Sequence, residues 1–105
     1  MSLSGVKRLV AAHTAVTDAV RHGVKLKSSR YFVWQEDGSH DLIADGRHVE
    51  KAMTGTTDLF TRQEFDPWKE QFEESLDAHG ICWGLNSVQY EPETGCWHYE
   101  WVWEV

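Results

Sequence analysis

The sequence predicts an α+β fold: an antiparallel or mixed sheet of about four strands packed by two helices, in the order α-β-β-α-β-β. Three observations predict it. From Cys96 onward the residues alternate, with Trp97, Tyr99, Trp101, Trp103 and Val105 on one face and His98, Glu100, Val102 and Glu104 on the other. That is the period of a strand with one covered face. Asp66-Pro67 followed by Trp68, Phe72 and Leu76 spells a capped helix with one apolar stripe, since aspartate accepts from free amides and proline suits the first helical position. Finally, 105 residues, 41% of them hydrophobic, hold one core, so a single domain spans 1–105.

Taken in order, Val6, Leu9, Val10, Val16 and Val20, with His13 on the same stripe, predict a helix over 6–20 closed by Gly23. Residues 24–30 are polar and basic and read as a connector or the frayed start of a strand. Tyr31-Phe32-Val33-Trp34 is aromatic and β-branched and meets a turn cluster at Glu36-Asp37-Gly38-Ser39, so it predicts a strand. A second turn at Asp45-Gly46 leaves Leu42-Ile43 as at most a brief extended piece. The stretch 48–61, with Val49, Met53, Leu59 and Phe60, is ambiguous by period. Thr54-Gly55-Thr56-Thr57 decides for strand, because glycine and β-branched residues both weaken a helix. The second helix carries Ser75 and His79 beside its stripe and ends at Gly80. Cys82 to Tyr90 and Cys96 to Val105 form a hairpin around Glu91-Pro92-Glu93-Thr94-Gly95.

Charge is uneven along this chain of net charge −7: residues 1–30 hold six bases and one acid, and the remainder holds four bases and sixteen acids. An acidic bulk argues against specific nucleic-acid binding, which draws its affinity from clustered Lys and Arg. No apolar run is long enough to span a membrane and the N-terminus lacks a signal-peptide pattern, so an intracellular, soluble chain with no membrane partner is expected. Six tryptophans supply large rigid surfaces for a core or an interface.

The chemistry-bearing residues form no recognisable constellation. Cys96-x-His98 supplies two neighbours on one strand face, and zinc needs two more ligands. Glu73-Glu74 are adjacent on a helix and point apart. No phosphate loop or nucleophile elbow is present. The expectation is a non-enzyme without catalytic, metal or cofactor-binding residues. The weakest alternative is acid-base chemistry by His98 with Glu100 or Glu104.

Against this background Tyr31-Phe32-Val33-Trp34, Ala44-Asp45-Gly46, Asp58-Leu59-Phe60-Thr61, the helix ending Leu76-Asp77-Ala78-His79-Gly80-Ile81, Tyr90-Glu91 and Tyr99-Glu100-Trp101 occur in an order that resembles the tail terminator proteins of long-tailed bacteriophages and prophages of Gram-positive hosts. The resemblance spans Arg30 to Val105. It implies a small structural α+β subunit that forms a ring, usually hexameric, on the last ring of the tail tube and joins it to the head. The implied partners are further copies of itself, the major tail protein and the head-completion or connector protein. The implied locations are the host bacterial cytoplasm during assembly and the virion neck. Another neck protein, such as a head-completion protein, is an alternative, and so is a small binding module that uses Trp97, Trp101 and Trp103 for a ligand or peptide.

A ring needs head-to-tail contacts that close on themselves. The charge asymmetry suggests Lys25, Lys27 and Arg30 of one subunit against Glu70, Glu73 and Glu74 of the next. The hairpin itself generates a test, because it holds Cys82 and Cys96 at opposite ends of a ladder, far beyond bridging distance. Thiol titration of the unfolded, unreduced protein is expected to find two free thiols; finding none in a monomer would overturn the pairing.

Overall fold

In the computed structural model, which describes residues 3–24, 29–40, 43–44, 47–48 and 52–105, nine elements follow one another. They are α1 (Leu3–Thr14), β1 (Val20–His22), β2 (Arg30–His40), β3 (Ile43–Ala44), β4 (Arg47–His48), β5 (Ala52–Thr61), α2 (Trp68–Ala78), β6 (Cys82–Glu91) and β7 (Cys96–Glu104). Five strands make a mixed sheet in the order β1-β2-β5-β7-β6, and β3 and β4 form a separate two-stranded ribbon. The α+β class stands. The expected count of about four strands and the order α-β-β-α-β-β are corrected by β1, β3 and β4.

The first correction arises in the N-terminal helix, which stops at Thr14 rather than running to Val20. The β-branched residues at 14, 16 and 17 explain the stop: they crowd the preceding turn, and the Thr14 hydroxyl donates back to the carbonyls of Val10 and Ala11. The freed residues Val20–His22 then pair in parallel with Phe32–Trp34. Gly23, at φ +70°, follows the strand directly, in a conformation that suits glycine. It ends a strand, not a helix.

β2 is longer than the aromatic run that announced it. Its eleven residues pair antiparallel with β5, with an irregularity between Glu36 and Gly38. Of the expected turns, Asp45-Gly46 lies outside the described residues, as do Leu42 and Val49; Ile43 is extended, as read, and Ala44 continues it. Gly55 sits mid-strand for a steric reason. A Cβ there would stand 2.4 Å from both the Gln35 carbonyl and the Trp103 ring, closer than a methyl group can pack.

The start of α2 follows the expected chemistry. Pro67 is already helical at φ −62°, ψ −16°, and Asp66 accepts the Trp68 amide at 2.9 Å. Asp66 is therefore the cap and Pro67 the first helical residue. Phe72 and Leu76 are its buried residues, and Gly80 at φ +67° follows its end.

Both helices lie on one face of the sheet. The core joins Leu9 and Ala12 of α1, Phe72 and Leu76 of α2, and Phe32, Trp34, Met53, Leu59, Tyr99, Trp101 and Trp103 from the strands. The alternation of β7 is therefore a covered face, with Trp97 and Val105 only partly buried at its ends. The hairpin register is one residue tighter than the loop alone indicates, with Glu91 opposite Cys96 and Cys82 opposite Glu104. Both cysteines are free.

One polar chain runs through this core. His13 is fully buried, and its Nδ1 lies 2.7 Å from the Leu9 carbonyl. A carbonyl only accepts, so Nδ1 carries the proton, and Nε2 of the neutral ring accepts the Thr57 hydroxyl at 2.9 Å. Thr57 in turn accepts from Trp103 Nε1 at 2.8 Å. Among the described residues no buried side-chain polar atom lacks a partner.

Trp101 has no exposed surface and touches Phe32, Phe72 and Tyr99. Replacing it with alanine is expected to cost about 3 to 5 kcal/mol, much of the stability of a small domain. Chemical denaturation of Trp101→Ala measures this, and an unchanged midpoint would show that the helices do not hold the sheet here.

Candidate functional site

With the tryptophan face filled by helices, the surface that remains available is set by the edges of the sheet. β1 closes one edge with three residues. β6 forms the other with ten, and it has no lysine or proline within it, two of the usual guards of an edge strand. A register shift between Leu85 and Ser87 inserts Asn86. That bulge re-phases the strand, so that Leu85 faces Trp101, Val88 faces Tyr99 and Tyr90 faces Trp97, all on the helix side. These residues project past the cover of α2 and are 40%, 45% and 50% exposed. Tyr90 packs on Trp97 with ring centroids 5.0 Å apart.

The acids of α2 border this strip. Helical geometry puts Glu70, Glu73, Glu74 and Asp77 on the side away from α1. Two contacts settle it: Asp77 accepts from Trp83 Nε1 of β6 at 2.7 Å, and Glu73 accepts from Trp101 Nε1 at 3.0 Å. Glu70, Glu74 and Asp77 are exposed. The opposite side of α2 is turned to α1, where Ser75 donates to the Ala12 carbonyl at 2.8 Å.

The residues expected to join subunits are thus unequal. Lys25 and Lys27 lie outside the described residues. Arg30 is engaged within the chain: its fork donates to both oxygens of Asp66, and its guanidinium lies 3.6 Å from the centre of the Trp68 ring. Glu73 is likewise occupied, by Trp101 and by Lys69 at 3.2 Å. Glu70 and Glu74 present exposed carboxylates, and sequence reasoning placed neither of them beside an apolar strip. The strip was missed because Asn86 breaks the odd-even alternation that would have revealed it.

Two further features flank the site. Phe65, in the turn before α2, is 85% exposed in the left-handed region at φ +56°, a conformation that costs a bulky residue on the order of 1 kcal/mol or more. It lines a cavity of about 370 Å³ with Pro67, Lys69, Glu70 and Tyr99. At the other end of the strand a groove of about 380 Å³ is bordered by Cys82, Trp83, Gly84, Val102 and Trp103.

The face without helices carries an acid-base cluster at the middle of the sheet. Asp58 and Glu100 stand directly opposite on β5 and β7, a like-charge pair that opposes strand pairing. His98 offsets it, donating from Nε2 to Asp58 at 2.7 Å, with Nδ1 3.6 Å from Glu91 and its ring stacked on Phe60. The partner of His98 is thus Asp58, not the Glu100 or Glu104 of its own strand. Among the described residues no group of histidines, cysteines and acids is arranged to hold a metal ion, and no helix is long and apolar enough to cross a membrane.

The sequence matches no protein-family model and no curated protein.

Three buried or paired groups generate a pH dependence of stability. Burial holds His13 down to about 4, against a backbone hydrogen bond that works the other way. Between 6.5 and about 4 the unfolded chain therefore binds a proton that the folded chain refuses, and stability falls with pH, by up to about 3 kcal/mol. The hydrogen bond to Asp58 raises His98 above 6.5 despite partial burial, so its contribution is full below 6.5 and is lost as pH rises through the raised value. For Asp66, burial alone would raise the carboxyl; Arg30, the Trp68 amide and Thr61 outweigh it and lower it. Its contribution is lost only in stronger acid, as pH falls through that lowered value. Denaturation of wild type, His13→Gln and His98→Gln across pH is expected to flatten the acid slope in the first variant and remove the alkaline loss in the second. An unchanged acid slope in His13→Gln would rule out a buried neutral His13.

Proposed function

We propose that this chain is a structural assembly subunit of a bacteriophage or prophage tail neck. In this reading it acts as a tail terminator: copies associate into a ring, hexameric by resemblance, that caps the tail tube and offers a surface to the head connector. Assembly takes place in the host cytoplasm and ends in the virion. The single observation that supports it best is the unlike pair of sheet edges. β6 is long, carries an exposed apolar strip and borders acids, whereas β1 is short and carries Arg21. A surface of that kind is suited to head-to-tail contacts, which close into a ring when the rotation per copy divides a full turn.

The charge distribution adds a direction. Residues 1–30 are basic and the rest acidic, so unlike ends attract while exposed pairs add only about 0 to 1 kcal/mol each and are screened over roughly 8 Å at physiological salt. Charge orients the contact and apolar burial holds it.

The test is binding to tubes polymerised from a phage major tail protein, viewed by electron microscopy across a salt series. Wild type is expected to cap tube ends, less completely as salt rises, and Lys25→Glu with Lys27→Glu to cap poorly at low salt. Binding to the head connector with no binding to tubes would reassign the chain to head completion, and binding to neither would sink the neck reading. Equal capping by the double variant would remove the role of the basic segment.

A further inference from the structure

Beyond its bulge β6 runs in regular register with β7 over residues 87–91, and among the described residues no strand pairs its outer side. Alternate backbone amides and carbonyls of an edge strand point outward, and an extended segment is what satisfies them. The two faces of this edge differ. Toward the helices it shows Val88 and Tyr90, both exposed. Toward the other face it shows Ser87, Gln89 and Glu91, with Glu100 directly behind Ser87. Charge around it has one sign. On α2, β6 and β7 the bases are Lys69 and His98, and each is already paired with an acid, Glu73 and Asp58. The same three elements add Glu70, Glu74, Asp77, Glu91, Glu100 and Glu104. The partner that such an edge selects is an extended segment in which apolar and basic side chains alternate.

That pattern stands in this chain: Val24-Lys25-Leu26-Lys27 alternates apolar with basic, and Val24 is 60% exposed. We propose that residues 24–27 of a second copy add as a strand to residues 87–91 of β6. Val24 and Leu26 lie beside Val88 and Tyr90, and Lys25 and Lys27 lie on the other face, beside Gln89 and within reach of Glu91 and Glu100. A period of two is the same in both strand directions, so either direction keeps this match. This deepens the assembly reading given above, and rests on it for its purpose, but it requires no tail tube. The occupant comes from another copy because the chain's own segment cannot reach. Gly23 is bonded to Trp34 and Arg30 is paired with Thr61, which fixes both ends at the β1–β2 side of the sheet, and β6 is the opposite edge. Going out to β6 and back would take about 40 Å, whereas the links from Gly23 to Arg30 span at most roughly 25 Å. The acids nearest β1 do not reverse the sign of the segment: Glu36 is held by His22, and Asp18 lies beyond the opposite end of β1 from Val24.

The experiment spoils one half of the contact at a time in the full chain. Val88→Asp sets a charge in the apolar row of the edge, and Lys25→Glu with Lys27→Glu reverses the segment. Circular dichroism and melting establish that both variants fold; Tyr90→Ser and Leu26→Ser replace whichever of them melts early. In sedimentation at up to about 1 mM and low salt, wild type is expected to associate. Each variant alone should associate at least about tenfold more weakly. An equimolar mixture of the two is expected to form heterodimers, because each supplies the half that the other lacks. Both variants add only acids, so the mixture gains no attraction from the substitutions themselves. Amide exchange followed by NMR reads the strand directly: association is expected to slow alternate backbone amides within residues 87–91. A monomeric wild type, either variant associating like wild type, a mixture no better than its components, or association without new protection in residues 87–91 would each overturn the proposal. Association of this kind without capping of tail tubes would leave the pairing standing and remove the tail reading alone. Tube capping that Val88→Asp leaves intact would remove the pairing and keep the tail reading.

Discussion

The hydroxyl of Thr57 is the constraint on which the arrangement of layers depends. It has no access to water, yet it donates to His13 of α1 and accepts from Trp103 of β7. A buried hydroxyl left unpaired costs about 1 to 3 kcal/mol, so α1 has one rotation and one depth at which Thr57, His13 and Trp103 are satisfied together. The Leu9 carbonyl completes the chain by holding the His13 tautomer. Apolar burial drives the helix onto the sheet without choosing its register, because it is non-directional. The hydrogen-bonded chain chooses it.

A second node does for α2 what Thr57 does for α1. Asp66, buried between the end of β5 and the start of the helix, accepts from Arg30 of β2, from Thr61 of β5 and from the Trp68 amide. One carboxylate thereby ties two strands and a helix terminus, with Trp68 stacked beneath the guanidinium. Arg30 is for this reason a structural cation. Its pairing also explains why Asp66 stays ionised in a place that burial would otherwise make costly.

These two nodes set the helices side by side and so decide what stays outside. Each helix keeps its neighbour-facing side for the other, as Ser75 and Arg8 show by bonding Ala12, His79 and Gly80. The outward sides are left to border the sheet edges. The acids of α2 thus border the β6 edge, while Arg8 and Arg30 of the basic N-terminal third are turned to α2 and to its capping carboxylate.

The sequence by itself determined the elements whose patterns are local: the alternation of β7, the Asp66-Pro67 start of α2, the hairpin around Glu91 to Gly95, and the strand identity of the threonine-rich stretch around Gly55. Each rests on side-chain period or on backbone chemistry within a few residues. Only the tertiary structure decided the rest. β1 exists because β2 offers a free edge, and nothing in Val20-Arg21-His22 announces a three-residue strand. The roles of Arg30 and His13 depended on partners 36 and 44 residues away. Likewise the exposed strip on β6 follows from a bulge that shifts phase within the strand and from a helix that stops short of its edge. Such pairings are decided by which surfaces remain when the core closes, a property of the whole chain that no local window contains.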